Sequence, residues 1–364
     1  MMDLISPTYI INEKIARNNI RRMAAKAAEN QALFRPHFKT HQSRLIGRWF
    51  KEEGVTAITV SSLSMADYFA SDGWNDITVA FPVNLHEINL INRLSGCIRL
   101  GLTIEDLNTV KQLDQLLTSR VDLYIKIDSG YHRTGLEPAD RDEIVAIVVA
   151  ARGSRNLNFK GLIAHSGHTY QARTIGEVYT IAALSLECMK MIKSWIPDSD
   201  RCLISIGDTP SCSLLDDFGG VDEIRPGNFV FYDLMQMQIG SCQFEQVAGV
   251  VACPVVAVHS HRNQAVIFGG AVHLSKDRLE VAGQTVFGQL VEWTGLGWGK
   301  PIPESYLVSL SQEHGILEAP SAVIRKLIPG SWIGILPVHS CLTANLLRGY
   351  RTLDGVDLDH LSGF

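Results

Sequence analysis

The segment RPHFKTH, residues 35–41, places a lysine among basic and aromatic side chains. An amine buried at the end of an apolar strand loses hydration, so its uncharged and nucleophilic form is favoured. A lone lysine in such a loop is more often solvated. Here Lys39 is flanked by Arg35, His37 and His41. This setting favours a lysine that forms a Schiff base with a carbonyl compound.

Two glycine-containing loops have the composition of an anion-binding site. They read GDTPSC, residues 207–212, and RPGN, residues 225–228. Gly207 and Gly227 allow the backbone to approach a ligand closely, and Thr209 supplies a hydroxyl group. Each loop alone is also an ordinary turn. Their placement after two neighbouring predicted strands favours a phosphate site.

Further polar side chains stand in the motifs DSGYHRTG and IAHSGHTYQ. Arg133, in the first motif, can donate hydrogen bonds to a phenolate or a carboxylate, and Arg225 can donate to a ring nitrogen. Both can instead form salt bridges with acidic neighbours. His165 either lies against a planar ring or serves as a structural donor. We place Tyr170, from the same motif as His165, among the cofactor-binding candidates.

A histidine and a cysteine stand two residues apart in HSCLTANL. On an extended chain the side chains of His339 and Cys341 point the same way, and imidazole with thiolate suits Zn²⁺. The spacing also arises by chance, and Cys341 could simply be a packing residue. His259 and His261 have the same spacing but no acidic or thiol neighbour, so we interpret them as surface residues. His314 is a weaker candidate for an active-site neighbour.

The elements that must position these groups alternate between short apolar runs and helix-period segments, which is typical of βα units around a parallel sheet. We predict eight strands at Leu33–Lys39, Ala57–Val60, Asp76–Ala80, Ile98–Leu102, Leu123–Asp128, Phe159–His165, Leu203–Gly207 and Glu223–Phe229. We predict helices capped by Asn12, running from Leu107, and starting at Pro138. Eight such units indicate an α/β fold of the TIM-type (β/α)8 barrel class over residues 1–245. The apolar runs and frequent glycines of residues 246–364 predict a smaller, mostly-β domain.

The composition excludes several classes of protein. The 364 residues are 46% hydrophobic and carry 33 Lys+Arg against 38 Asp+Glu, a net charge of −5. Scattered charge of this kind argues against nucleic-acid or membrane partners. We expect no signal peptide, because no apolar run follows a basic start, and no transmembrane segment, because the apolar stretches are too short. The 7 cysteines include no CxxC pair. We therefore expect a cytoplasmic protein with reduced thiols that acts on small molecules.

Taken together, the motifs resemble those of fold-type III pyridoxal-phosphate enzymes, whose barrel is that of alanine racemase. The resemblance is to the metal-activated branch that contains D-serine dehydratase and D-threonine aldolase, and it extends from SPTYIINEKIARNN to HSCLTANL. It implies that Lys39 carries pyridoxal 5'-phosphate and that His339 and Cys341 bind the metal. It also implies cofactor contacts for a set of further residues, namely Arg133, His165, Thr209, Gly227 and Asn228.

The metal motif also bears on the reaction. Related threonine aldolases carry an acidic residue where this chain has Cys341; that residue suits Mn²⁺, whereas a thiolate suits Zn²⁺. The resemblance therefore favours a lyase that eliminates water from a β-hydroxy-D-amino acid such as D-serine, giving a keto acid and ammonia. Lys39 would remove the α-proton, and the metal would assist departure of the β-hydroxyl group. The family further implies a homodimer.

Other activities remain open from the sequence. The same groups serve a D-threonine aldolase or a 3-hydroxy-D-aspartate aldolase or dehydratase, with His168 or His314 as the base in aldol cleavage. A pyridoxal-phosphate-binding regulatory barrel is an alternative of another class, although such barrels lack a second domain. A metal-dependent barrel hydrolase, with the histidines of HFKTH or HSH as ligands, is a further alternative.

Overall fold

The structure is a computed structural model that describes residues 4–294 and 297–362. Its strands are β1 (Thr8–Ile11), β2 (Leu33–Phe34), β3 (Ile58–Val60), β4 (Asp76–Pro82), β5 (Arg99–Ile104), β6 (Val121–Lys126), β7 (Leu157–Ile163), β8 (Leu203–Ile206), β9 (Glu223–Ile224), β10 (Gly249–His259), β11 (Gln264–Phe268), β12 (Leu279–Val281), β13 (Gln284–Val286), β14 (Gly288–Trp293), β15 (Trp298–Leu310), β16 (His314–Glu318), β17 (Trp332–Pro337), β18 (Tyr350–Thr352) and β19 (Asp357–Leu358). Its helices are α1 (Glu13–Glu29), α2 (Arg44–Glu52), α3 (Leu63–Ala70), α4 (Ile88–Ser95), α5 (Leu107–Leu116), α6 (Arg141–Gly153), α7 (Ile175–Ser194), α8 (Thr209–Leu214), α9 (Leu234–Ile239), α10 (Ala271–Leu274), α11 (Ser321–Ile324) and α12 (Ser340–Leu347).

The chain forms two compact units, each assembled from separate segments. The β unit contains the residues up to Ile20, Thr40–Ile46 and the chain from Asn228 onward. The barrel unit contains Arg21–Lys39 and Gly47–Gly227. The division that we predict from the sequence, at residue 245, thus differs from these units in three places. It differs because the amino-terminal segment, residues 40–46 and the stretch from 228 to 245 all pack with the later part of the chain.

The barrel unit is built on a parallel sheet with the strand order β2-β9-β8-β7-β6-β5-β4-β3. An isolated parallel bridge between His37 and Thr59 joins the two outer strands, so the sheet nearly closes on itself. This confirms the predicted TIM-type architecture. Because all the strands run parallel, their carboxyl ends gather at one edge, where barrels carry their functional side chains.

All eight predicted barrel strands are present, but two of them are much shorter than expected. β2 and β9 are each two residues long. An arginine and then a proline follow each of them, at Pro36 and Pro226. Proline has no N–H group to donate to a ladder, so pairing ends early and the following residues form loops.

The three predicted helices are also present. The backbone N–H of Ile15 donates to Oδ1 of Asn12 at 3.2 Å, so Asn12 caps α1 as expected. α5 buries Val110 and Leu113 on one face. Pro138 begins a single 3₁₀ turn that leads into α6. Among the described residues, no helix is long and apolar enough to cross a membrane.

The β unit contains a nine-stranded, mostly antiparallel sheet with the order β11-β16-β15-β14-β17-β10-β1-β18-β19. β1, which we did not predict, pairs antiparallel with β10 and parallel with β18. Tyr9, Ile10 and Ile11 of this strand are fully buried. β1 therefore lies inside the sheet of the β unit, between two strands from the far end of the sequence.

Residues 40–46 are fixed within the β unit by Tyr350 of β18 and by Asp359, which directly follows β19. The carboxylate of Asp359 accepts hydrogen bonds from Oγ of Ser43 at 2.6 Å and from the backbone N–H groups of Arg44 and Leu45, both at 3.1 Å. It thereby caps the amino end of α2. The hydroxyl of Tyr350 donates to the carbonyl oxygen of His41. The segment that directly follows Lys39 in the sequence is thus held by several hydrogen bonds.

The cysteines are all free thiols. Four of them are buried, namely Cys202, Cys212, Cys242 and Cys253. Burial raises the pKa of Cys202 to about 11 and raises the pKa of the other three further. These four are therefore inert packing residues at neutral pH. Cys341 is partly exposed and belongs to the candidate site described below.

Candidate active site

Lys39 stands in a turn after β2, next to an uncharged histidine. Its backbone N–H donates to Nδ1 of His37 at 3.3 Å. Burial lowers the pKa of His37 well below its ordinary value, and the charges of Lys39 and Arg225 act in the same direction. Lys39 itself is half-buried. A positive charge on the imidazole of His37 is therefore disfavoured beside the amine of Lys39.

His165 follows β7 and is held in one orientation. Its Nδ1 bonds to the carbonyl oxygen of Gly207. Burial lowers the pKa of His165 well below its ordinary value, and the charge of Lys39 adds to this effect. The ring is therefore neutral, with the proton on Nδ1, because a carbonyl oxygen can only accept. Tyr131 packs edge-on against the ring at 5.9 Å between centroids, and Tyr170 lies 6.4 Å away. Nε2 is left as an acceptor.

Two arginines and a lysine give this part of the barrel unit a positive potential. Arg225 is buried and donates from Nε to Oγ of Ser205 at 2.7 Å and from Nη2 to the carbonyl oxygen of Ala164 at 2.6 Å. Burial lowers the pKa of Arg225 to about 10. Burial also lowers that of Lys126 to about 7, and Arg225 and Arg133 lower it further. Such a group of cations and neutral imidazoles suits an anionic ligand.

This donor set fits pyridoxal phosphate. The cofactor carries an aldehyde for an amine, a phosphate for cationic and backbone donors, and a planar ring for neighbouring aromatic groups. Lys39 would supply the amine, Arg133 contributes positive charge at both His37 and His165, and Arg225 does so at His37. Arg133 also lies over the ring of Tyr131, at 5.0 Å from its centroid. The individual contacts of these residues with the cofactor stay predictions.

The predicted phosphate loop lies at the start of α8. Asp208 caps this helix by accepting from the N–H of Ser211 at 2.8 Å, and Thr209 is fully buried. The N–H of Thr209 is 3.4 Å from the hydroxyl of Tyr170. A Cβ at Gly207 would lie 2.9 Å from that of Arg225, so only glycine lets the loop pass over β9 so closely. The predicted phosphate contacts of Thr209 and Gly227 remain untested.

The predicted metal ligands stand where β17 leads into α12. His339 occupies the position before the helix, and Cys341 lies in its first turn. Sγ of Cys341 is 3.2 Å from Oγ1 of Thr40 and 3.6 Å from Nδ2 of Asn228. Nδ1 of His339 is 2.6 Å from Oδ2 of Asp277. Within the β unit, the thiol and the imidazole are thus each oriented by a polar partner.

Asn228 joins this group through its side chain. Its Nδ2 donates to Oδ2 of Asp233 at 2.6 Å and to Oγ of Ser340 at 3.0 Å, besides contacting Cys341. The resemblance implied a phosphate contact for Asn228. In the structure, its amide nitrogen instead contacts Ser340 and Cys341 of the segment His339–Cys341, which we call the HSC motif. A phosphate could then be bound by the backbone of Asn228. The phosphate role stays a prediction.

Two buried polar atoms near Cys341 support a bound ion. Oδ1 of Asn228 and the hydroxyl of Tyr9 are buried without a hydrogen-bond partner among the described residues. Burial raises the pKa of Tyr9, and the charges of Asp233 and Cys341 raise it further, so the hydroxyl stays protonated. Such atoms normally find a partner in protein or ordered water. A hydrated ion at His339 and Cys341 would supply one, and imidazole with thiolate suits Zn²⁺.

A second group of ligand-type side chains was missed from the sequence. Atoms of Asp128, His132 and Glu137 lie within 4.8 Å of one another in the described part of the chain. However, Oδ1 of Asp128 already accepts from three backbone N–H groups, those of Gly130, Tyr131 and His132. These bonds shape the loop after β6. The spacing within DSGYHRTGLE was the only sequence signal for this group.

Three further residues near the predicted sites were also missed. Lys126 is the last residue of β6, in an apolar strand that gives no sign of its charged neighbours. Asp277 and Asp233 are far from the HSC motif in sequence but contact it in the fold. Only pairing through the fold brings these residues together, so no local spacing reveals them.

Comparison with known proteins identifies the family. Residues 11–234 match the model of the alanine racemase N-terminal domain, and residues 248–353 match that of a putative serine dehydratase domain. D-serine dehydratase of Dictyostelium discoideum is 30% identical over 97% of this chain and 94% of its own. The chain belongs to the D-serine dehydratase family. As a member of this family of fold-type III pyridoxal-phosphate enzymes, it is a lyase.

Solved structures agree with this family. D-threo-3-hydroxyaspartate dehydratase from Delftia sp. HT23 is 26% identical, with a TM-score of 0.89 over 100% of this chain and 99% of that one. Another solved D-threo-3-hydroxyaspartate dehydratase, with a cysteine replaced by alanine, is equally similar and is described as metal-free. D-threonine aldolase from Filomicrobium marinum shares the fold, with a TM-score of 0.83 at 21% identity over 98% of this chain and 95% of that one.

Proposed function

We propose that this lyase eliminates water from a β-hydroxy-D-amino acid, with D-serine as the expected substrate and pyruvate and ammonia as the products. The observation that carries the proposal is the oriented pair of His339 and Cys341, with the thiol contacted by Thr40 and Asn228. A thiolate and an imidazole favour Zn²⁺ over harder ions. The 30% identity to a D-serine dehydratase supports the same choice.

The barrel unit would hold the cofactor and move the α-proton. Pyridoxal phosphate supplies an electron sink for the charge that develops at the α-carbon. Lys39 would hold the cofactor covalently, and its Nζ is the group that would take the α-proton. The nearby uncharged imidazoles of His37 and His165 avoid a competing positive charge beside that nitrogen. The cations Arg133 and Arg225 would bind and orient anionic groups.

The β unit would contribute the metal. An ion held by His339 and Cys341 supplies Lewis acidity to a leaving hydroxyl group. Asn228 and Thr40, placed at the sulfur, would stabilise its thiolate form by hydrogen bonding. One solved relative, a cysteine-to-alanine variant, is described as being in a metal-free form, which implies that this relative also has a metal-bound form.

Product identity tests the proposal. The purified chain, loaded with pyridoxal phosphate and Zn²⁺, is incubated separately with D-serine and D-threonine. We expect ammonia and a keto acid. Glycine and acetaldehyde from D-threonine would instead indicate aldol cleavage and overturn the proposed reaction. Replacing D-serine by 3-hydroxy-D-aspartate shows whether a second carboxylate is preferred.

Two pairs of variants assign the roles. Lys39→Ala should remove both activity and the visible absorbance of the bound cofactor, whereas Lys111→Ala, at an exposed lysine of α5, should change neither. Cys341→Ala should lower zinc content and activity by at least about 10-fold, with Cys97→Ala, at an exposed thiol, as its control. Full activity and zinc content in Cys341→Ala would remove the metal from the proposal.

We also propose that the lyase acts as a homodimer, as the family resemblance implies. α12 leaves Leu342 and Leu346 exposed, four residues apart on one face of a helix. Exposed apolar side chains of this kind suit a subunit contact. A single species with the monomer mass in sedimentation velocity, at micromolar concentration, would contradict the dimer.

A further inference from the structure

We propose that Asp277 is a positioning residue of the metal site, which fixes the ring of His339 so that Nε2 faces the ion. The inference rests on the proposed role of His339 and Cys341 as metal ligands. Oδ2 of Asp277 is 2.6 Å from Nδ1 of His339, so the carboxylate accepts a hydrogen bond from the N–H group at that position. Carboxylates in this position select the tautomer and the orientation of metal-binding histidines.

The contacts of the imidazole agree with this orientation. His339 stands directly before α12, and Cys341 lies in the first turn of that helix, two residues further along the chain. Because Asp277 engages Nδ1, Nε2 is the nitrogen that remains for the space beside the sulfur. Neutral imidazole has one donor nitrogen and one acceptor nitrogen. A proton held on Nδ1 by Asp277 therefore leaves a lone pair on Nε2, as a metal ligand requires.

The loop that presents Asp277 is held in an uncommon conformation. Ser275, two residues earlier, has φ 70° and ψ 179°, a combination that residues other than glycine rarely adopt. Its Oγ accepts from the backbone N–H of Asp277 at 3.1 Å. Nζ of Lys276 donates to the carbonyl oxygen of Leu310 at 2.7 Å. Such strain persists only where the surroundings over-determine it, and it occurs often at ligand-binding sites.

The same loop is tied to the helix that carries Cys341. Leu274, at the end of α10, is fully buried. Its carbonyl oxygen is 3.4 Å from Oγ1 of Thr343, in α12. Asp277 and Cys341 are thus attached to two elements that contact each other directly. The position of the carboxylate relative to the HSC motif is therefore set by packing as well as by one hydrogen bond.

An ordinary ion pair gives a different expectation. If Asp277 served only to stabilise the fold, its removal would lower the unfolding temperature but leave the affinity for metal unchanged. If it positions His339, its removal must weaken metal binding even in a folded chain. Zinc affinity of the cofactor-loaded protein, measured by competition with a chromophoric chelator, separates the two roles.

We expect Asp277→Ala to weaken zinc binding by about 10- to 100-fold, the usual effect of losing such a partner. Asp277→Asn should lose less, because its amide oxygen can still accept from Nδ1. The matched control is Glu313→Gln. Glu313 is 3.9 Å from Nε2 of His273, a carboxylate–histidine pair of the same unit outside the HSC motif. The zinc affinity of Glu313→Gln should equal that of the unaltered chain.

The reference variant is His339→Ala. If His339→Ala loses zinc but Asp277→Ala does not, the positioning role is wrong and the metal site stands. If His339→Ala binds zinc normally, the proposed metal site itself is wrong, and the role of Asp277 with it. Should Asp277→Ala fail to fold, Asp277→Leu decides, because its side chain fills a similar volume but cannot accept from Nδ1: an unchanged zinc affinity overturns the inference, and a loss supports it.

Cobalt substitution gives a second readout. Co²⁺ bound to a thiolate has a charge-transfer absorbance, which reports Cys341 directly. If Asp277 is a positioning residue, Asp277→Ala should still show this band. The band should reach its full absorbance only at a higher Co²⁺ concentration. Loss of the band at saturating Co²⁺ would mean that the whole site has collapsed, and it would overturn a role confined to His339.

Discussion

At the scale of single residues, three histidines of the described chain stay uncharged in the folded state. His37, His41 and His165 all have a pKa below the ordinary histidine value, chiefly because of burial. For His37 and His165 the charge of Lys39 adds to the effect. Protonating any of them would place a charge in a buried site without a carboxylate to compensate it fully. The fold therefore maintains these rings as neutral hydrogen-bonding groups.

Such histidines make the folded state sensitive to acid. Burial lowers the pKa of His41 to about 3, while its unfolded value is about 6.5. Below about pH 6.5 the unfolded chain binds a proton that the folded chain does not, so stability falls by up to about 1.4 kcal/mol per pH unit for each such histidine. Above that pH the contribution is constant.

We predict that His41→Gln reduces this pH dependence. Its free energy of unfolding should be lower at pH 7, because the ring accepts from the N–H of Ser43, but should fall less steeply between pH 6.5 and 5. Urea unfolding at several pH values measures the slope. His86→Gln, at an exposed histidine, is the control and should retain the original slope. An unchanged slope in His41→Gln would contradict the prediction.

At the scale of elements, the segment after Lys39 depends on a contact that the sequence does not suggest. Asp359 caps α2 from more than 300 residues away along the chain. Leu361 adds a backbone hydrogen bond to the carbonyl oxygen of Gln42 at 2.7 Å. Capping of a helix by its own preceding residue leaves a local pattern, whereas this cap leaves none. The structure thus makes residues 40–45 depend on a distant segment.

We predict that Asp359→Ala destabilises the fold by about 2 kcal/mol, because a helix loses its cap and Ser43 loses a partner. The binding of pyridoxal phosphate should weaken as well, since Lys39 directly precedes this segment. Urea unfolding and cofactor titration measure the two effects. Asp357→Ala is the matched control: this exposed side chain pairs only with Arg351 in the described contacts, and its loss should cost less than about 1 kcal/mol. Equal effects in both variants would refute the capping role.

At the scale of the whole molecule, the two predicted ligand sets belong to different compact units. Lys39, Arg133, His165 and Arg225 are in the barrel unit, while His339 and Cys341 are in the β unit. Each unit has its own sheet and its own buried apolar residues. Loss of the metal need not disturb the groups that would hold the cofactor.

We therefore predict that a chelator removes activity without removing the cofactor. Treatment with excess chelator should lower activity by at least about 100-fold, because a Lewis acid supplies several kcal/mol of stabilisation. The visible absorbance of the bound cofactor should persist, and added Zn²⁺ should restore activity. Chelator saturated beforehand with Zn²⁺ serves as the control. Parallel loss of absorbance and metal would contradict this independence.

The sequence predicted the barrel well, because its strands are short apolar runs between clear turn signals. β4 and β8 are recognisable from local pattern alone. β1 was missed, since four residues without alternation, TYII, do not distinguish a strand, and its partners lie far along the chain. The predictions for Lys39 and the HSC motif also come from short motifs, and their roles stay predictions. Asp277 was not, because it meets His339 only through tertiary packing.

The position of β1 has a consequence for how this protein is made. β1 leaves the ribosome before all the barrel strands, yet it pairs with β10 and β18, which are synthesised after them. Until then Tyr9, Ile10 and Ile11 have no sheet to enter, and apolar unpaired strands of this kind are prone to aggregate. The β-unit sheet can therefore be completed only after the whole barrel segment has been synthesised.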